Sequence, residues 1–98
     1  MKITNARIKS TSLEIERDNL TFWIWLDYGD MSGQGFGGYK IDGEYCAKVV
    51  RGILTTLEID RWEQLPGMHV RAMSDDGDTV MAIGHFIKDR WFDIRMVE

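Results

Sequence analysis

The chain has 98 residues, 44% of them apolar and 29% charged, with a net charge of −4. That length suits one domain spanning residues 1–98 around a modest core, and no apolar run approaches the twenty residues of a membrane span. With no lysine or arginine cluster, the charge excludes a duplex nucleic acid as the expected partner. The first ten residues, MKITNARIKS, lack the apolar stretch of a secretory signal. The lone Cys46 cannot form an internal disulfide and suits a reducing cytoplasm.

The segment ARIKSTSLEIE alternates, but Ala6 and Ile8 keep one phase while Leu13 and Ile15 keep the other. A bulge or break is expected between Ser10 and Ser12. A turn at RDN follows. The clearest strand is then LTFWIWLDY, residues 20–28. Its two-residue period places Leu20, Phe22, Ile24, Leu26 and Tyr28 on one face, and Trp23 and Trp25 with Thr21 and Asp27 on the other. Two apolar faces imply a central strand, or a second face that meets the helix, a partner subunit or a ligand.

Residues 27–43, DYGDMSGQGFGGYKIDG, hold six of the ten glycines. Such a stretch reads as a hairpin loop or glycine bulge, with GGYKI returning as a short strand. The other reading is a backbone cradle for a phosphate or carbonyl, formed by Gly35 and Gly37 among others. A dinucleotide fingerprint does not fit, because no helix opens at the third glycine. A Walker loop does not fit either, because no Gly-Lys-Ser/Thr follows.

The spacing predicts a helix over 44–58, with Tyr45, Cys46, Val49, Val50, Ile53, Leu54 and Leu57 in one stripe. Asp42 is the expected N-cap, and Gly52 marks a close helix–sheet contact. Asp60 is expected to cap a short turn ending at Pro66-Gly67, with Trp62 and Leu65 tucked beneath. MHVRAM reads as a strand, SDDGD as a hairpin turn, TVMAIGHFIKD as the partner strand and RWFDI as a short last strand. The expected fold is therefore α+β: an antiparallel sheet of about five strands with one main helix across one face.

The candidate chemistry is sparse. His69, His85 and Cys46 show no metal-ligand spacing, and SDDGD lacks the length of a calcium loop. No nucleophile motif is present, so the reading is a protein without metal, cofactor or catalytic residues. The aromatic residues are more informative, since tryptophan often forms an interface or ligand wall. A platform of Trp23, Phe36 or Trp91 beside Arg51, Arg71 or Arg90 would suit an aromatic base with phosphates.

Three segments carry a resemblance: IKSTSLEIERDNLTFWIWLDYG, SGQGFGGYKIDG and WEQLPGMHVRAMSDDGDTVMAIGHFIKDRWFD. Together they resemble a family of small tailed-phage and prophage proteins with GFGGY, W-E-x-LPG and IGH…DxWF motifs in that order. The pattern is also similar to the sponge proteins that phages use against Thoeris defence, which hold cyclic ADP-ribose-type signals without cleaving them. The resemblance implies a non-enzymatic counter-defence protein of the host cytoplasm. It would be a homodimer or larger, with a small anionic nucleotide signal as partner and Arg51, His85 and the Trp91-Phe92 end at the ligand. This chain departs from the pattern in its short Ile41–Glu44 connection and in LEIERDN. The alternative from another class is an inhibitor of the anti-CRISPR type, whose acidic surface caps a host defence protein.

Overall fold

The computed structural model describes residues 1–97. The strands are β1 (Lys2–Glu16), β2 (Asn19–Gly29), β3 (Ser32–Lys40), β4 (His69–Ser74), β5 (Val80–His85) and β6 (Trp91–Asp93), with one helix, α1 (Glu44–Leu57), between β3 and β4. They form a single antiparallel sheet in the order β3-β2-β1-β4-β5-β6. The fold is α+β as expected, with six strands in place of about five.

The long β1 organises the sheet. Its residues from Arg7 onward pair with β2, and its residues up to Arg7 pair with β4. The register shifts between Ile8 and Ser10, so Lys9 is the extra residue of a bulge. This explains the phase change in the sequence. After one inserted residue, Thr11, Leu13 and Ile15 stand opposite Ile24, Phe22 and Leu20, on the face that already carries Ala6 and Ile8. The hairpins close with paired left-handed residues, Arg17 and Asp18 (φ 53° and 67°) and Asp30 and Met31 (φ 52° and 62°). That backbone matches the twist of two-residue hairpin turns. The SDDGD turn is held by Asp75, whose Oδ1 accepts from the N–H groups of Gly77 and Thr79, both at 2.9 Å.

The glycine-rich stretch is a strand for most of its length, because β3 begins at Ser32 and pairs with β2 through Lys40. The hairpin-loop reading is corrected accordingly, while the glycine bulge is present at Gly37 and Gly38, where the register with β2 shifts between Trp23 and Thr21. Helix α1 also starts differently from expectation. Gly43 is the N-cap, with no side-chain cap, and Asp42 instead accepts the N–H of Leu20 at 3.2 Å, tying the start of β2 to the end of β3. The helix ends at Glu58, which adopts φ 59°, and the N–H of Ile59 returns to the Leu54 carbonyl at 3.0 Å. Gln64, rather than Asp60, organises the following turn, its Oε1 accepting from the N–H groups of Asp60 and Arg61.

The core lies between the sheet's inner face and α1. Ile8, Phe22, Ile24, Phe36, Ile41, Val49, Ile53, Leu65, Val70 and Ile83 are fully buried. Gly52 lets the helix approach β6, since a Cβ there would stand 2.6 Å from Cε1 of Phe92. Trp62 packs edge-on against Phe22 and donates its Nε1–H to Thr11 Oγ1 at 3.1 Å, so its polar atom is satisfied at the core's margin. Among the described residues, no helix is long and apolar enough to cross a membrane.

Candidate functional site

The outer face of the sheet explains the glycines. Trp23 and Trp25 project from β2 on the face away from the core, and their rings stack at 4.7 Å between centroids with planes 10° apart. Across from them on β3 stand Gly37 and Gly35. A Cβ on Gly35 would lie 2.6 Å from Cζ3 of Trp25 and 2.9 Å from Cζ3 of Trp23, and one on Gly38 would lie 2.6 Å from Cζ2 of Trp23. The indoles therefore lie across bare backbone, and any larger residue beneath them would lift them off the sheet. Gly37 has a further reason to be glycine. Its φ is 138°, and a Cβ there would collide with the carbonyl oxygen of Phe22. These glycines accommodate tryptophan rings and a bulged strand.

Beside the pair, a surface depression of about 410 Å³ opens against Trp25, which is 41% exposed. Gly33, Gln34 and Gly35 line it from β3, and Lys9 and Ser10 from the β1 bulge. Gln34 is held from both ends: Nε2 donates to the Asp78 carbonyl at 3.0 Å, and Oε1 accepts from the Gly35 N–H at 3.3 Å. A parallel indole pair with one open flank is a platform on which a further flat ring can stack.

The other sequence candidates fall elsewhere. Phe36 is fully buried, edge-on to Phe22 at 5.6 Å and to Phe92 at 6.3 Å. It points into the core, away from Trp23, and cannot share a platform with it. Arg51 is exposed on α1, where it lines a shallow depression with Lys48, Gly52 and Thr55.

Arg71, His85, Arg90 and Trp91 do come together, around the loop of residues 86–90 that joins β5 to β6. The expected strand through Asp89 stops at His85, because His85 Nδ1 accepts from the N–H groups of Ile87 and Lys88 and turns the chain. Arg71 then clamps the loop. Its Nε donates to the His85 carbonyl at 2.9 Å and its Nη2 to the Lys88 carbonyl at 2.8 Å, while its guanidinium lies 4.8 Å from the centre of the Trp91 ring. Trp91 in turn lies over Gly84, where a Cβ would meet its ring at 2.8 Å.

On the opposite side, Glu58 receives Lys88 Nζ at 2.8 Å and Arg90 Nη1 at 2.7 Å, with His85 Nε2 3.9 Å away. Hydrogen bonds from Lys88 and Arg90 hold the Glu58 carboxyl below its ordinary value. These side chains are engaged in fixing the loop. The two clusters share the outer face, with β1, β4 and β5 standing between Trp91 on β6 and the tryptophan pair on β2.

Burial raises the pKa values of Tyr28 and Tyr39; the negative charge of Asp78 adds to the rise at Tyr28, and that of Tyr45, Asp75 and Asp93 adds to it at Tyr39. Among the described residues there is no group of three or more histidine, cysteine or acidic side chains placed to hold a metal ion. Trp25, Lys9 and Gln34 were not among the sequence candidates. Trp25 shares the phase of Trp23, and Lys9 sits at the phase change that marks the bulge, so a signal for both existed. Comparison with family models, with curated proteins and with solved structures finds no match to this chain.

Proposed function

We propose that the protein binds a small flat anionic ligand of nucleotide type and sequesters it without altering it. The observation that carries this reading is the depression against the open flank of the Trp23–Trp25 stack. A base laid on Trp25 would extend an existing parallel stack, an interaction worth about 1–3 kcal/mol. Lys9 would supply positive charge at the rim, and Ser10 would supply a hydrogen-bonding group. The counter-defence setting, the host cytoplasm and a homo-oligomeric state are part of the proposal and rest on the resemblance of the GFGGY, WEQLPG and IGH segments.

The test is calorimetry with cyclic ADP-ribose isomers and cyclic di- and trinucleotides, followed by heat denaturation and a mass spectrum of what is released. Binding of one compound and its return unchanged supports the proposal. Silence across the panel removes it, and return of an altered compound makes the protein an enzyme. A stoichiometric host protein captured from lysate by a ligand-silent protein favours the direct inhibitor.

A further inference from the structure

A second depression, of about 320 Å³, lies on the same outer face where β1 passes from β2 to β4. Asn5 and Arg7 of β1, His69 of β4 and Phe86 of the β5–β6 loop line it. The register fixes the arrangement. Arg7 stands opposite Asp27 on one side and His69 on the other, making a row across three strands. A smaller hollow shares Asp27 with this depression, and shares Lys9 and Gly33 with the one at Trp25. The three form one trough along the outer face.

The chain's cations are unequally committed. Lys88 and Arg90 are tied to Glu58, Arg95 to Asp93, and Arg71 to backbone carbonyls. The side chains of Arg7 and Lys9, like those of Lys2, Arg17, Lys40 and Arg51, have no ion-pair or hydrogen-bond partner among the described residues, and of these six only Arg7 and Lys9 line the trough's depressions at Trp25 and His69. Arg7 also stands in a concave site with an aromatic wall, since Phe86 is 41% exposed and its ring lies 5.5 Å from that of His69. Asp27 faces the same hollow, with Oδ1 occupied by the Gly29 N–H at 2.8 Å. Standing opposite Arg7, it offsets part of the attraction for an anion on that side, which leaves the His69 side of Arg7 the more favourable one.

We infer that Arg7, with Asn5 and His69, forms an anion subsite that takes the phosphate of a ligand whose ring lies on Trp25. The placement of the ring rests on the proposed function; the anion subsite does not. From strand geometry Arg7 lies about 8 Å from Trp25, two residues along and one strand across, which leaves room for a sugar between base and phosphate. Arginine's planar fork suits phosphate better than the exposed lysines do.

Inorganic pyrophosphate, which has no ring, tests the subsite by itself. Titrated into the ¹⁵N-labelled protein, it is expected to shift the amides of Asn5, Arg7, His69 and Phe86 together. Arg7→Gln is expected to weaken it about fivefold or more, with Arg7→Lys recovering part of the loss. Arg7 is exposed and outside the core, so both variants should melt as the parent does. Shifts spread evenly over Lys2, Arg17 and Lys40, or an Arg7→Gln protein that binds as the parent does, would overturn the inference. If pyrophosphate binds here but no nucleotide in the panel binds, the subsite stands and the ring placement falls. If a nucleotide needs Trp25 but ignores Arg7→Gln, the reverse holds.

Discussion

Replacing Gly35 with alanine tests whether glycine on β3 exists to seat the tryptophan pair. At an open strand position this change stabilises by about 0.5–1 kcal/mol, because glycine loses more backbone entropy on folding. Here the new methyl would stand 2.6 Å from Trp25 Cζ3 and 2.9 Å from Trp23 Cζ3, against ordinary carbon contacts of about 3.5–4.0 Å. Both indoles must therefore move by about 1 Å. Overpacking of this kind costs about 1–3 kcal/mol, and loss of the stack adds about 0.5–1.5 kcal/mol. Trp25 is exposed enough to swing outward, which holds the cost toward the lower end.

The net expectation is a loss of about 1–3 kcal/mol, or a Tm lower by roughly 5–20 °C, with collapse of the exciton-coupled tryptophan signal in circular dichroism. Gly77→Ala is the control, since its added Cβ meets only Asp75 Oδ1 at 3.5 Å. It should stay within about 0.5 kcal/mol of the parent. If Gly35→Ala melts like the control and keeps the exciton signal, the rings do not rest on this backbone and the reasoning fails.

Gly37→Ala should be worse, about 3 kcal/mol or more, because its Cβ meets the Phe22 carbonyl and its φ of 138° disfavours any side chain; denaturant melts read the loss. Arg71→Lys keeps the charge but loses the fork between the His85 and Lys88 carbonyls and the contact with Trp91. A loss of about 1–3 kcal/mol is expected, with faster amide exchange confined to residues 85–90. Glu58 has a folded pKa below its ordinary 4.5. Its contribution is therefore complete above the unfolded value and lost as pH falls through the folded one. The stability gap between the parent and Glu58→Gln should be constant near neutral pH and close below about pH 4.5 in a pH series of melts; a gap that persists in acid would contradict the ion-pair account.

Much of the fold was legible because period and phase are local properties. The two-residue period of LTFWIWLDY set its faces, the phase change before Leu13 announced a bulge between Ser10 and Ser12 that the structure places just earlier at Lys9, and Gly52 marked the helix–sheet contact now filled by Phe92. The bulge at Gly37 and Gly38 was legible, but the strand from Ser32 onward was not, because a strand normally announces itself by side chains. Here the side chains that cover β3 belong to β2, so the signal lay ten residues upstream in Trp23 and Trp25. The β5–β6 loop was hidden for a similar reason. HFIKD has strand composition, but His85 turns the chain, and Arg71 and Glu58, distant in sequence, fix the result. The candidate arginines were chosen by type, and the structure shows Arg71 and Arg90 already engaged in holding that loop. Arg7 and Lys9, whose side chains are uncommitted and border the trough, sit on β1, where the sequence offered only alternation.

The measurement closest to the central claim is a paired titration of the parent and Trp25→Ala with whichever member of the cyclic nucleotide panel the parent binds. Trp25 is at the surface, so the variant keeps its core. Loss of one stacking face should weaken binding about 5- to 100-fold while the molecule recovered from the parent remains intact. Equal binding by the two proteins, or no binding by the parent to any member of the panel, would contradict the account.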